Sequence, residues 1–422
     1  MATVRKGLRL HIGLFGRRNV GKSSLLNALT RQQAAIVSAT AGTTTDPVEK
    51  PMELQPLGPV LFIDTAGVDD EGALGEQRIA KTRQVLERVD LGVIVCDRPA
   101  WGVFEQGLHD ELKARGVPVV AVFNKCDLHA TDEAERCRLA GLGLPVVETA
   151  AVAPGAGALG LGRGVAELRQ ALLEQAPEDW VNQPPLLADL VRPGEPVVLV
   201  VPIDKEAPAG RLILPQQQAI RELLDADAWA LVVKERELPA ALATLTRPPA
   251  LVVTDSQVFL KVAADTPPGV PMTSFSILFA RRQGDLAEMA RGAAAIERLR
   301  PGDRVLVAEA CGHHPGGEDI GRVKIPRWLR QYVGGALEFD HVQGHDFPED
   351  LSRWSLVVHC GACMWNRREV LNRLLACRKA GVPMTNYGLA IAYSQGIFER
   401  ALMPFPAARE AVAAERTQGK GR

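Results

Sequence analysis

The chain has 422 residues, 46% apolar and 23% charged, and its 49 Lys and Arg against 50 Asp and Glu leave a net charge of −1. That length holds two or three domains, each with its own core, and the near-neutral balance removes any whole-chain attraction to phosphate backbones, so no nucleic-acid partner is expected. No apolar run approaches the ~20 residues that span a bilayer, and seven scattered cysteines do not make a secreted disulfide framework, so a cytoplasmic protein with no membrane partner is expected.

The first segment, LRLHIGLFGRRNVGKSSLLNALT (8–30), reads as an apolar strand, a glycine turn and a helix starting near Lys22. Gly16 to Ser23 fits G-x-x-x-x-G-K-S in that context. Backbone N–H groups of such a turn favour phosphate oxygens, Lys22 can reach the β and γ phosphates, and Ser23 can ligate Mg²⁺. Gly16, Asn19, Gly21, Lys22, Ser23 and Ser24 are therefore the expected phosphate and cofactor contacts. LFIDTAG (61–67) supplies a second strand ending in Asp64, suited to hold the metal through water, and Gly67, whose N–H can follow the γ-phosphate.

A third strand, VVAVFNKCD (119–127), ends in N-K-x-D with Asn124, Lys125 and Asp127. Asp127 can accept two hydrogen bonds from the guanine N1 and N2 edge, which adenine does not offer. Three motifs in order make the nucleotide GTP. Between them, ATAGTTTDPV (39–48) has the character of a mobile switch, with Thr44 as the hydroxyl that caps Mg²⁺ and the γ-phosphate. Catalysis is expected from Lys22, Thr44, Asp64 and Gly67. ETAA (148–151) stands where a last base-contacting loop falls.

Over residues 8 to 175 these motifs resemble the GTPase group that includes the tRNA-modifying MnmE and the ribosome-assembly proteins Era and Der. In several of that group an asparagine matching Asn19 helps hold K⁺ at the transition state. Val68 stands where Ras-like proteins have a water-positioning glutamine. The resemblance implies slow GTP hydrolysis stimulated by K⁺.

APEDWVNQPPLLADLVRPGEP (176–196) has no sustained period and reads as a linker. PVVLVVPID, WALVVKE and PALVVTD then alternate with the helical stretches LPQQQAIRELLDA and LPAALATL, a small α/β unit suited to packing or self-association. TPPGVPMTSF (266–275) marks another boundary. GDLAEMARGAAAIERL reads as a helix, DRVLVAEAC and SLVVHCGAC as buried strands, and NRREVLNRLLACRKAGVPMTNYG as helix, turn and strand. The expected architecture is α/β in three domains: residues 1–178 for the GTPase, 190–266 for a small middle domain, and 270–422 for a C-terminal α/β domain.

Cys311 ends one strand, in ACGHHPGGED, and Cys360 and Cys363 follow another, in VVHCGAC. Parallel sheets gather ligands at the carboxyl ends of their strands, so residues fifty apart can meet. C-x-H, then 45 residues, then H-C-x-x-C gives three thiolates plus His313 and His359 as fourth-position candidates. Spacing leaves zinc and iron–sulfur both open. Cys96, Cys126, Cys137 and Cys377 read as packed or incidental thiols.

The two motif sets together, in this order over the whole chain, resemble HydF, the GTPase and scaffold family of [FeFe]-hydrogenase maturation. The resemblance implies that Cys311, Cys360 and Cys363 ligate a [4Fe-4S] cluster, with His313 or His359 near its fourth iron. It also implies a homodimer formed through the middle domain. A diiron precursor, assembled with two radical-SAM maturases, would be carried and delivered to apo-hydrogenase. The HHPGGED loop (313–319) is a candidate for accommodating that precursor. The alternative is an RNA-modification or ribosome-assembly GTPase with structural zinc, for which RVKIPRWLRQY (322–332) would be the local basic surface.

Overall fold

The computed structural model describes residues 9–30, 47–54, 57–65, 82–97, 101–129, 131–150, 163–177, 180, 184–202, 212–310, 319–363 and 365–419. The chain divides into two compact units, 1–183 and 184–422.

In the first unit the apolar run Leu10–Phe15 (β1) and its parallel partners form the core of a six-stranded sheet. The other strands are β2 (Val48–Leu54), β3 (Gly58–Asp64), β4 (Leu91–Cys96), β5 (Val119–Asn124) and β6 (Val146–Thr149), in the order β2-β3-β1-β4-β5-β6. Only β2 runs antiparallel, on β3. β1, β4 and β5 are buried along their whole length, as expected of strands covered on both faces. The carboxyl ends of β1, β3 and β5 carry the three nucleotide motifs to one edge.

The second unit contains two four-stranded parallel sheets. One is β10-β9-β7-β8, from β7 (Pro196–Val200), β8 (Trp229–Val233), β9 (Leu251–Thr254) and β10 (Met272–Ser274). The other is β12-β11-β13-β14, from β11 (Arg304–Glu309), β12 (Glu338–Gln343), β13 (Leu356–His359) and β14 (Met384–Asn386). β10 pairs with β9, so the middle sheet extends past the expected boundary at residue 266. A single apolar core runs under both sheets.

The two sheets have the same strand order and the same register. Val197 pairs with Leu251 as Val305 does with Leu356, and Pro196 with Trp229 as Arg304 with Glu338. Met272 pairs with Val252 as Met384 does with Val357. The sequences follow: RPGEPVVLV (192–200) matches RPGDRVLVA (300–308), and GVPMTSF (269–275) matches GVPMTNY (381–387). Each GVPMT strand leads into a helix, Phe275–Gln283 and Tyr387–Ser394, capped by Ser274 and Asn386 respectively.

The helix Leu286–Ala294 packs on β14 through Gly292, where an added Cβ would lie 2.0 Å from the carbonyl oxygen of Met384. Because that neighbour is backbone, it cannot rotate away. Gly292→Ala is expected to cost about 1–3 kcal/mol by overpacking, read as a lower urea midpoint of the second unit. An unchanged midpoint would contradict this packing.

Candidate functional sites

At the carboxyl edge of the first sheet, Lys22 opens the helix Lys22–Thr30, and its Nζ donates to the carbonyls of Gly16 (2.8 Å) and Arg17 (2.7 Å). Those two acceptors stand in for the phosphate oxygens that a nucleotide brings. Ser23 Oγ donates to Asp64 Oδ2 at 2.5 Å, which joins the first two motifs where a divalent ion would sit between them. Asp64 Oδ1 is buried and finds no hydrogen-bond partner among the described residues. Burial pushes the Asp64 carboxyl above its ordinary pKa, against the pull of Ser23, Lys22 and Lys50. A buried, half-satisfied carboxylate beside a serine hydroxyl is a fitting donor set for Mg²⁺.

The third motif braces the turn. Asn124 Nδ2 donates to the carbonyl of Val20 (2.9 Å), and its Oδ1 accepts from Thr149 Oγ1 (2.9 Å). A Cβ on Gly21 would lie 2.2 Å from Asn124 Nδ2, and Gly21 has φ +94°, so this position needs glycine. Lys125 Nζ donates to the carbonyl of Asn19 (2.6 Å) and pairs with Asp97 (2.8 Å). Asn19 and Lys125 both take left-handed backbone, φ 61° and 60°. Ser24 is half-buried in the first turn of the helix, and Asp127 is exposed beyond it, open to a base. Thr44, Gly67 and the stretch 39–46 lie outside the described residues, as does part of 148–151.

The second site forms where β13 ends. Cys360 N–H donates to the carbonyl of Ala308 (2.9 Å), holding the turn against β11. The backbone N–H groups of Ala310 (3.1 Å) and Ala362 (3.4 Å) both point at Cys360 Sγ. Ala362, between the two cysteines of the turn, has left-handed backbone, φ 49°. Such a cradle suits a thiolate or a metal-bound sulfur better than a neutral thiol. Cys311 and His313 lie outside the described residues, and among the described residues no three His, Cys, Asp or Glu side chains gather as a ligand set.

His359 is fully buried and engaged at both ring nitrogens. Arg373 Nη1 lies 3.1 Å from Nε2, so Nε2 accepts, and Nδ1–H donates to the carbonyl of Cys360 at 2.8 Å. Burial, then the Arg373 charge, lowers its pKa to about 3, which keeps the ring neutral. Arg373 lies 4.1 Å from the Trp365 ring and 4.6 Å from that of Phe347, and donates to the carbonyl of Gly344 at 2.5 Å. His345 stacks on Trp365 at 5.2 Å.

A further polar group borders the same strand ends. Tyr387 hydroxyl donates to Glu309 Oε1 (3.2 Å), and Gln343 Nε2 donates to Glu309 Oε2 (2.9 Å). Arg322 stands 3.9 Å from that carboxylate, and His341 Nε2 is 3.3 Å from the carbonyl of Gly321. Gly321 belongs to a single π-helical turn, Ile320–Lys324, and its Cβ would lie 2.1 Å from the Tyr387 hydroxyl. Burial, then the charges of Cys360, Glu309 and Asp319, push the phenol well above its ordinary pKa. Arg373, Glu309 and Tyr387 carry no motif of their own. The repeat of GVPMT is the signal that would have drawn attention to Tyr387.

Three family profiles match the chain: the Hydrogen maturase F dimerization domain over residues 186–284, the Hydrogen maturase F tetramerization domain over 287–404, and the 50S ribosome-binding GTPase over 11–125. The tRNA modification GTPase MnmE of Paraburkholderia xenovorans is 40% identical over 177 residues, 42% of this chain and 36% of its own length. GTPase Der of Wolinella succinogenes is 38% identical over 130 residues, 29% of this chain and 27% of its own. The chain thus spans about a third of the length of the curated relatives it matches. A crystal structure of an Era variant from Aquifex aeolicus, bound to GDP and AlF4⁻, aligns at 21% identity with a TM-score of 0.34, over 61% of this chain and 99% of that one. No described helix is long and apolar enough to cross a membrane.

If Asp127 reads the base as the N-K-x-D motif leads one to expect, Asp127→Ala would remove two charge-assisted hydrogen bonds to the guanine edge, about 3 kcal/mol or more in total. GTP binding is expected to weaken at least ~100-fold by calorimetry, with the melting temperature unchanged. An unchanged Kd would mean that Asp127 does not read the base.

Proposed function

The chain belongs to the hydrogen maturase F family, and on that premise we propose that it is a GTP-hydrolysing scaffold that binds a [4Fe-4S] cluster and carries a diiron precursor to apo-[FeFe]-hydrogenase. The observation that carries the cluster reading is the cradle at Cys360, two backbone N–H groups aimed at one sulfur just past the end of β13. Cys311, Cys360 and Cys363 are the proposed ligands. Between the two histidines, His313 is the better candidate for the fourth position, because both nitrogens of His359 are already engaged. His359 instead ties the cysteine turn to Arg373. Iron in this cluster would supply redox chemistry and one exchangeable coordination position.

For the nucleotide, Lys22 exchanges its two carbonyl partners for phosphate oxygens, Ser23 and Asp64 hold Mg²⁺ with Thr44, and Gly67 follows the γ-phosphate. Asn19 is the proposed K⁺ ligand. Hydrolysis is expected to be slow and faster in K⁺ than in Na⁺ in a phosphate-release assay; equal rates would remove the K⁺ role from Asn19.

Self-association follows from the edge strands. β8 is one of the two edge strands of the middle sheet, the other being β10, and exposes Trp229 (45%) and Val232 (42%). The equivalent edge of the third sheet, β12, carries Glu338 and Asp340 paired with Arg304, which discourages strand addition there. A homodimer through β8 is therefore proposed, and Val232→Lys should shift the protein to monomer in sedimentation. A dimer that persists in that variant would move the interface elsewhere.

The cluster reading is tested by anaerobic reconstitution with iron and sulfide, followed by iron analysis and EPR on the wild type and on Cys360→Ser and Cys363→Ser. The expected result is a reducible [4Fe-4S] signal that either substitution abolishes, in a protein that activates apo-hydrogenase when loaded with precursor by the radical-SAM maturases. Stoichiometric zinc with no reconstitutable cluster would make the site structural and favour the RNA-associated GTPase.

A further inference from the structure

The two sheets of the second unit are two copies of one module, and their comparison separates what the fold needs from what was added. Strand order, register and the closing turns coincide. The N–H of Gly194 donates to Asp227 as that of Gly302 does to Ala336, both at 2.8 Å, and Val252 N–H to Pro271 as Val357 N–H to Pro383, both at 2.9 Å. Positions that differ between the copies are therefore the ones the shared scaffold does not dictate.

Some of the differences run along the edge strand β12, where Glu338 and Asp340 pair with Arg304; those at the carboxyl ends of the strands form a separate group. His359 and Cys360 stand where the first copy has Thr254 and Asp255, and Cys363 where it has Val258. That much is the cysteine motif. By the same register Glu309 replaces Val201, Gln343 replaces Lys234, and Tyr387 replaces Phe275, the first residue of the matching helix. Phe275 is buried in the first copy, so the ring alone satisfies the packing. What the second copy adds is a hydroxyl, and that hydroxyl points at the one carboxylate added beside it.

We propose that Glu309, Gln343 and Tyr387 form a wall of the metal pocket, in which Glu309 sets the local charge and Tyr387 and Gln343 hold and partly screen it. This rests on the cluster reading above. Glu309 is buried at the end of β11, two residues before Cys311, and β11 is the strand against which Cys360 is held. The close approach of Gly321 to the Tyr387 hydroxyl ties the π-helical turn Ile320–Lys324 to the same group. These are positioning residues, since they act on the cluster through charge and hydrogen bonding. Charge and hydrogen bonding around a cluster are main determinants of its reduction potential.

The test reverts each residue to its counterpart in the first copy, where that residue is already accommodated: Glu309→Val and Tyr387→Phe, with Phe275→Tyr as the control. After reconstitution with iron and sulfide, iron content, EPR g-values and midpoint potential are measured. Glu309→Val removes a negative charge and should raise the potential. Tyr387→Phe removes the dipole that screens Glu309 and should lower it. Iron content should be unchanged in both, and Phe275→Tyr should change nothing. Wild-type potential and g-values in both reversions, or an equal shift in the control, would overturn the proposal. A wild-type protein that binds no cluster would instead sink the reading it rests on.

Discussion

The pairing of β13 with β11 is the constraint on which the second unit's chemistry depends. In the register that sets Ala308 opposite His359, both strands end at the same level, and the next residue of β13's chain, Cys360, hangs from the carbonyl of Ala308. A slip of one residue would turn every side chain of the strand to the other face. Val305, Leu306, Val307, Leu356, Val357 and Val358 are apolar and buried on both faces, so the register is marked at the strand ends, by Ser355 N–H to the Arg304 carbonyl and Cys360 N–H to the Ala308 carbonyl, both 2.9 Å. That register fixes where the sulfur sits.

The nucleotide site obeys the same logic on a different sheet. β1, β3 and β5 end at one edge, and the side chains that leave them are already bonded to one another: Ser23 to Asp64, Asn124 to the Val20 carbonyl, Lys125 to the Asn19 carbonyl. These bonds pre-order the turn, so under the proposed reading a nucleotide would replace the Lys22 partners without having to build the loop. Both sites are thus consequences of parallel strands that finish together.

Much of this was legible in the sequence because the motifs are local. G-x-x-x-x-G-K-S, D-T-A-G and N-K-x-D each sit at the end of an apolar run, and strand periodicity alone places them. The extent of the middle sheet was less legible: MTS is too short and polar to read as a strand, and it becomes β10 only by pairing with β9. His359 illustrates the other limit. In the sequence it stands beside Cys360 and looks like a ligand, but its direction depends on Arg373, fourteen residues away, whose guanidinium is held between Trp365 and Phe347. Glu309 and Tyr387 have no motif spacing at all, and only the repeated GVPMT turns, read together with the shared register, set them apart.

Iron anomalous scattering from a crystal of the anaerobically reconstituted protein tests the central claim most directly. The expected result is a single iron cluster at the carboxyl ends of β11 and β13, with Cys311, Cys360 and Cys363 sulfurs bonded to it and His359 still on Arg373. Scattering at the zinc edge from that position, or iron bound at any other place in the chain, would contradict it.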